Sequence, residues 1–229
     1  MDPIILTNIP FAADRAQLLA KLHVAEGSDF AADLNQLVDE AEALARPKAM
    51  YKMVFIEEKG DDYVLIDGVR LSSRVLRVNL DEAHRAFAQV ATCGAELQAW
   101  AEGLTDMLYR FWAEEIKLAA LRAAGLALDA DLAARYNPGK TSRMNPGSLA
   151  DWPLREQGPL FAILGDVQAA IGVYLTDSYL MVPNKSTSGL RFPREASFES
   201  CQLCPREGCP GRRARYDPAL YESTYQNKS

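Results

Sequence analysis

Histidine and cysteine, the side chains most often recruited for catalysis and metal binding, are scarce: two and four among 229 residues. Neither His23 nor His84 lies in an identifiable nucleophile–base–acid context, so no hydrolase triad is readable. Basic charge is short as well. The formal net charge is −6, with 31 acidic against 25 basic residues, a poor match for nucleic acid, which needs a concentrated positive surface. Long apolar runs are missing. The best, Leu160 to Leu175, is interrupted by Asp166 and Gln168 and is too short to cross a bilayer. The start, Met1-Asp2-Pro3-Ile4, has neither the basic region nor the cleavage site of a secretion signal, so the expected location is cytoplasmic, with no membrane partner. No glycine-rich turn precedes a Gly-Lys-Ser or Gly-Lys-Thr, which excludes the usual phosphate loop.

What is present is ordinary globular material, 48% hydrophobic and 24% charged. Phe11–Leu22 predicts a short helix. Phe30, Leu34, Leu37, Val38, Ala41 and Leu44 recur at helical spacing behind a Ser28 or Asp29 cap. The period then shortens. Met50–Ile56, Tyr63–Ile66 and Val69–Leu71 read as strands, the last two joined by an Asp67-Gly68 hairpin turn, and Phe87–Cys93 as a further strand. From Ala95 the pattern is helical through Ala124 with a break at Gly103. In its second part Leu104, Leu108, Phe111 and Leu118 form an apolar stripe that also carries Glu115. A buried carboxylate there needs a partner, so Glu115 either reaches water at the stripe's edge or faces a ligand in a cleft. Leu128–Pro153 reads as loop-rich, Leu154–Ile171 as a helix, and Val173–Thr176 and Tyr179–Val182 as strands. Helices, then strands, then helices, then a mixed end predict an α+β fold. The chain divides into a 1–96 part, a 97–195 part and a 196–229 cysteine-containing segment.

Two segments can carry chemistry. Arg143-Met144-Asn145-Pro146-Gly147 sets a planar guanidinium beside a turn, and Leu175-Thr176-Asp177-Ser178 with Ser186-Thr187-Ser188-Gly189 gathers small hydroxyls around Lys185. Together, in this order and spacing, Arg143-x-x-Pro146-Gly147, Leu175-Thr176-Asp177-Ser178 and Ser186-x-Ser188-Gly189 resemble the activation domain of cobalamin-dependent methionine synthase, best over Thr141–Phe192. The resemblance implies a bent antiparallel sheet with flanking helices and a shallow groove for S-adenosylmethionine. It further implies a reactivation module that docks on a corrinoid-binding methyltransferase module, where an electron and S-adenosylmethionine remethylate the oxidised cobalt. Cobalamin would enter only through that partner, since no Asp-x-His-x-x-Gly cobalamin-ligand motif occurs here. By the resemblance, Arg143 pairs with the ligand carboxylate and Asn145, Pro146 and Gly147 hold its polar end. Thr176, Ser186, Ser188 and Gly189 form the adjacent wall, and a helical glutamate, Glu115 before Glu114, meets the amine. Two aromatic positions of the family are replaced: Ser148 follows the glycine, and Leu190 and Arg191 follow Ser188-Gly189.

Outside the resemblance stand Cys201, Cys204 and Cys209, within a stretch holding Arg206, Arg212, Arg213 and Arg215. Three thiolates in a short loop suit an iron–sulfur cluster or zinc, or bind no metal and serve the loop alone. A cluster would match a need for an electron from a donor protein. The alternatives to a reactivation module are a metal-stabilised interaction domain that has lost the ligand, and a small redox protein.

Overall fold

The computed structural model describes residues 1–194, 198–209 and 211–226. Its frame is one seven-stranded sheet in which every pairing is antiparallel. The strands run β4 (Val69–Ser72), β3 (Tyr63–Ile66), β2 (Lys48–Lys59), β5 (Arg85–Thr92), β9 (Ser186–Pro193) and β6 (Thr141–Met144), with β1 (Ile4–Leu6) added along β2. The Asp67-Gly68 turn joins β3 to β4 as the sequence predicts, both residues having positive φ. β2 and β5 come from the first part of the chain, β9 and β6 from the second. The sheet therefore runs across the 96/97 boundary.

Alternation along the strands sends side chains to two covered faces. Ala49, Tyr51, Met53, Phe87 and Ala91 meet Ala124, Leu128 and Leu132 of α5 (Met107–Tyr136). Beyond the sheet's end, α5 packs with α1 (Arg15–Leu22), α2 (Asp29–Leu44) and α4 (Ala95–Gly103) through Leu18, Leu34, Val38, Leu97, Trp112 and Ile116. On the opposite face Met50, Val54, Val90, Leu190 and Phe192 lie against α3 (Arg74–Asn79), α6 (Gln157–Leu164) and α7 (Val167–Ile171), with Trp152 fully buried among them. Tyr225 joins this core and donates to Asn79 Oδ1 at 2.9 Å, so the C-terminal segment is packed into the domain.

Three expectations are corrected. The helix of the second part does not stop near Ala124 but continues to Tyr136, closed by Asn137 in the left-handed conformation. Its buried face is Trp112, Ile116, Ala120, Ala124, Leu128 and Leu132, while Leu108 and Phe111 of the expected stripe are exposed. The buried face mixes alanines with Trp112, Ile116, Leu128 and Leu132 while Leu108 and Phe111 lie outside it, so residue size alone does not mark the buried side. The Leu154–Ile171 helix is broken at Gly165, which leaves a short 3₁₀ turn, α6 and α7.

Candidate functional site

At one end of β6 and β9 the chain makes a turn in which Ser148 N donates to Asn145 O at 3.1 Å. Pro146 fixes the second position and Gly147, at φ +83°, takes the third, which is the pattern of a type II turn. Gly147 N then donates to Trp152 O at 2.7 Å, which anchors the turn to the core. Asn145 reaches across to β9, donating to the Ser188 carbonyl and, at 3.4 Å, to Thr187 Oγ1. Behind it Gly189 is required: a Cβ there would fall on the Met144 carbonyl oxygen and the Asn145 side chain.

This turn is one wall of a cavity of about 650 Å³. The facing wall comes from the hairpin of β7 (Tyr174–Leu175) and β8 (Met181–Val182), through Thr176, Leu180 and β8, with Asn184 and Ser186 after it, and Ser188 and Gln157 close the floor. Thr176 Oγ1 accepts from Leu180 N at 3.1 Å and lies 3.1 Å from Ser178 Oγ. Ser186 Oγ donates to the Pro183 carbonyl at 2.7 Å and lies 2.9 Å from Thr92 Oγ1. Asn145, Pro146, Gly147, Thr176, Ser186 and Ser188 thus line one groove, with Gly189 behind it.

Arg143 and Glu115 do not line that cavity. Arg143 lies opposite Arg191 in the β6–β9 register, on the sheet face that meets α5, whereas Ser188, Leu190 and Phe192 point to the other face. Both guanidinium groups bind Asp129 Oδ1 of α5, Arg143 at 3.0 Å. Like charges directly opposite repel, and the shared carboxylate offsets this. Burial, and then the charge of Arg191, push the Arg143 guanidinium below its ordinary value. Glu115 pairs with Lys21 of α1, one helix position away from the groove side.

The acid on that side is Glu114. Lys117 Nζ lies 2.5 Å from Glu114 Oε1 and Lys185 Nζ 2.9 Å from Oε2, and Asn184 Nδ2 donates to Oε2 at 3.1 Å. Burial acts to raise this carboxyl, but the hydrogen bonds and charges of Lys117 and Lys185 outweigh it and hold it below the usual range. Lys117, with its side chain 2% exposed, also donates to Gln98 Oε1 at 3.2 Å and Asn184 Oδ1 at 3.0 Å. Glu114, Lys117 and Gln98 line a second cavity of about 390 Å³. Lys117 and Asn184 escape a motif-based reading. The only signal for Lys117 is its place on the alanine-rich face of α5. The nearby Cys93 thiol is pushed by burial up to about 11, so it stays protonated and is no nucleophile.

The cysteine loop sits at the β6 edge, where Phe198 N donates to Ser142 Oγ at 3.0 Å. Its centre is Arg212, whose guanidinium donates to the carbonyls of Cys201 at 3.0 Å, Cys204 at 3.1 Å, Ala214 at 3.3 Å and Arg206. Cys201, Cys204 and Cys209 are free and half-buried, and Arg213 N donates to Cys201 Sγ at 3.4 Å. Among the described residues, no three His, Cys, Asp or Glu side chains form a ready metal-binding group. Nor is any described helix long and apolar enough to cross a membrane.

The architecture is thus an α+β domain in which helices flank an antiparallel sheet and a polar groove opens at the ends of two of its strands. It is the fold of the MetH reactivation domain. The crystal structure of that domain bound to AdoHcy (S-adenosylhomocysteine) matches 83% of this chain and 73% of its own at a TM-score of 0.59, with 17% sequence identity. No family model and no curated protein matches the chain.

Proposed function

We propose that this chain is a reactivation module for a corrinoid-dependent methyltransferase of the methionine synthase type. In that role it binds S-adenosylmethionine in the Asn145–Ser188 groove. There the sulfonium methyl would be the group passed to the partner's corrinoid cobalt once a donor protein has supplied one electron, its bond to sulfur breaking as its bond to cobalt forms and S-adenosylhomocysteine leaving. The observation that carries this reading is that six residues of the resemblance, Asn145, Pro146, Gly147, Thr176, Ser186 and Ser188, line one groove, in a fold shared with a domain seen bound to S-adenosylhomocysteine.

The chain's own part is to bind and orient the ligand. Hydroxyls of Thr176 and Ser186 and the amide of Gln157 offer hydrogen bonds from the hairpin wall and the floor, while Leu154, Leu180 and Met181 supply apolar surface. Calorimetric titration with S-adenosylhomocysteine tests this half of the proposal. One ligand per chain is expected, and heat no greater than that of dilution would refute it.

The proposal extends to the cysteine loop, which would hold a thiolate-bound iron–sulfur cluster or zinc. Arg212 already gathers the carbonyls of the two cysteine turns, and the Arg213 amide bonds one sulfur as amides do around metal-bound thiolates. Binding requires the three thiols to converge within the loop. A cluster would supply a one-electron relay from a donor protein.

An interaction domain that no longer takes the ligand is the second reading. It is favoured by Arg143 being committed to Asp129, by Ser148 after the glycine, and by Leu190 and Arg191 after Ser188-Gly189, where the family has aromatic groups.

A further inference from the structure

Charge is spread unevenly over this chain. Residues 140–143 and 191–215 together carry eight basic and three acidic side chains, a balance of +5 in a chain whose total is −6, which leaves −11 for the rest. The fold brings the two segments to one place. β6 and β9 pair from Thr141 with Pro193 to Met144 with Leu190, and just beyond them Arg194 N donates to the Lys140 carbonyl at 3.0 Å. Glu199 bridges to Arg143 on the outer side of β6, and Arg212 gathers the cysteine loop that follows. Asp129 and Asp217 adjoin this face, and with both counted it still keeps +3.

The charges lie in two layers. Arg143 and Arg191 are sunk against α5, with side chains 24% and 12% exposed, and share Asp129. Burial depresses the Arg143 guanidinium, and the charges of Arg191 and Arg213 add to this against the pull of Asp129, so the positive field reaches below the surface. Outside them Lys140, Arg206, Arg213 and Arg215 are exposed, Arg213 lying 2.9 Å from Glu199. Exposed guanidinium groups present rigid forks that match planar carboxylates, and a face of one sign steers a partner of the other sign into contact. Nucleic acid is the poorer match, because Glu199 stands within the face and the −11 of the remaining chain repels a long polyanion.

We propose that this face, made by the Lys140 and Arg194 ends of β6 and β9 together with the cysteine loop, docks the acidic surface of a partner protein, with Arg206, Arg213 and Arg215 as the carboxylate contacts. The groove lies at the other end of the same two strands, beyond Met144 and around Ser186–Ser188, so a partner seated here leaves it open. The assignment depends neither on the ligand of that groove nor on a metal in the loop.

The test titrates an oligoglutamate peptide at low salt into the full chain, into the double variant Arg206→Glu, Arg215→Glu, and into Arg70→Glu. Arg70 is 56% exposed but lies on β4, at the far edge of the sheet. The wild type is expected to bind, with affinity that falls as salt is added. The double variant should bind roughly tenfold more weakly or worse, since each reversal turns an attraction into a repulsion, while Arg70→Glu keeps the wild-type affinity. No binding by the wild type overturns the proposal, and so does an equal loss in Arg70→Glu, which would make the attraction a property of the whole molecule. Tighter binding of duplex DNA than of the peptide would overturn it in favour of a nucleic-acid surface. Arg206 gives only its carbonyl to Arg212, so the reversals leave the loop's centre in place, and matching urea midpoints will confirm that folded proteins are being compared.

Discussion

Gly189→Ala is expected to lower stability by about 1–3 kcal/mol, the usual cost of forcing a methyl group into filled space, and to lower affinity for S-adenosylhomocysteine as well. The methyl group has nowhere to go. It meets the Met144 carbonyl, which is backbone, and the Asn145 side chain that ties β6 to Ser188. Relief requires β6 to move away from β9, and the Asn145–Gly147 turn forms one wall of the groove. Urea unfolding gives the first quantity and calorimetry the second. Wild-type values for both would mean that the packing at this crossing does not shape the site.

Cys204→Ser should remove most of the metal from protein purified without oxygen, because a three-thiolate site that loses its middle ligand has no further cysteine among its neighbours in sequence. Metal analysis and visible absorption on the same sample decide it. Brown wild-type protein with iron and sulfide, bleached in the variant, makes the loop an electron relay. Zinc that is lost in the variant makes it structural. Metal content that is absent from the wild type, or unchanged by the substitution, contradicts the assignment. Fold and groove do not depend on the outcome, since the loop is built on Arg212 and its carbonyl partners.

The α+β class was legible because period changes are strong where strands alternate. Met50–Ile56 and Phe87–Cys93 lie within or beside β2 and β5, the two central strands. β9 was harder to see. Ser186-Thr187-Ser188-Gly189 is polar where one end of the strand lines the groove, and that polar lining masks the strand pattern there. The buried side of α5 was missed for another reason. Its contact surface mixes Ala120 and Ala124 with Trp112, Ile116, Leu128 and Leu132, and Phe111, next to the buried Trp112, is 58% exposed.

The turn and hydroxyl residues of the site were legible as motifs, because turn chemistry is local: a proline and a glycine at fixed positions need no knowledge of the rest of the chain. The direction of Arg143 was not. It depends on which face of β6 meets α5 and on Asp129 standing fourteen residues earlier, which only the packed sheet brings within 3.0 Å. The choice between Glu114 and Glu115 is of the same kind. One position on a helix turns a side chain by about 100°, enough to exchange Lys21 of α1 for Lys117 and Lys185.

Reductive remethylation is the measurement that bears most directly on the proposed role. A corrinoid-binding module of a methionine synthase, loaded with cob(II)alamin, would be mixed with a one-electron donor and S-adenosylmethionine, with and without this chain. Reactivation by this chain predicts that the methylcobalamin spectrum appears only when the chain is present, together with one S-adenosylhomocysteine for each cobalt methylated. Methylation at the same rate without the chain, or none with it when the chain is shown to bind S-adenosylhomocysteine, would contradict that role.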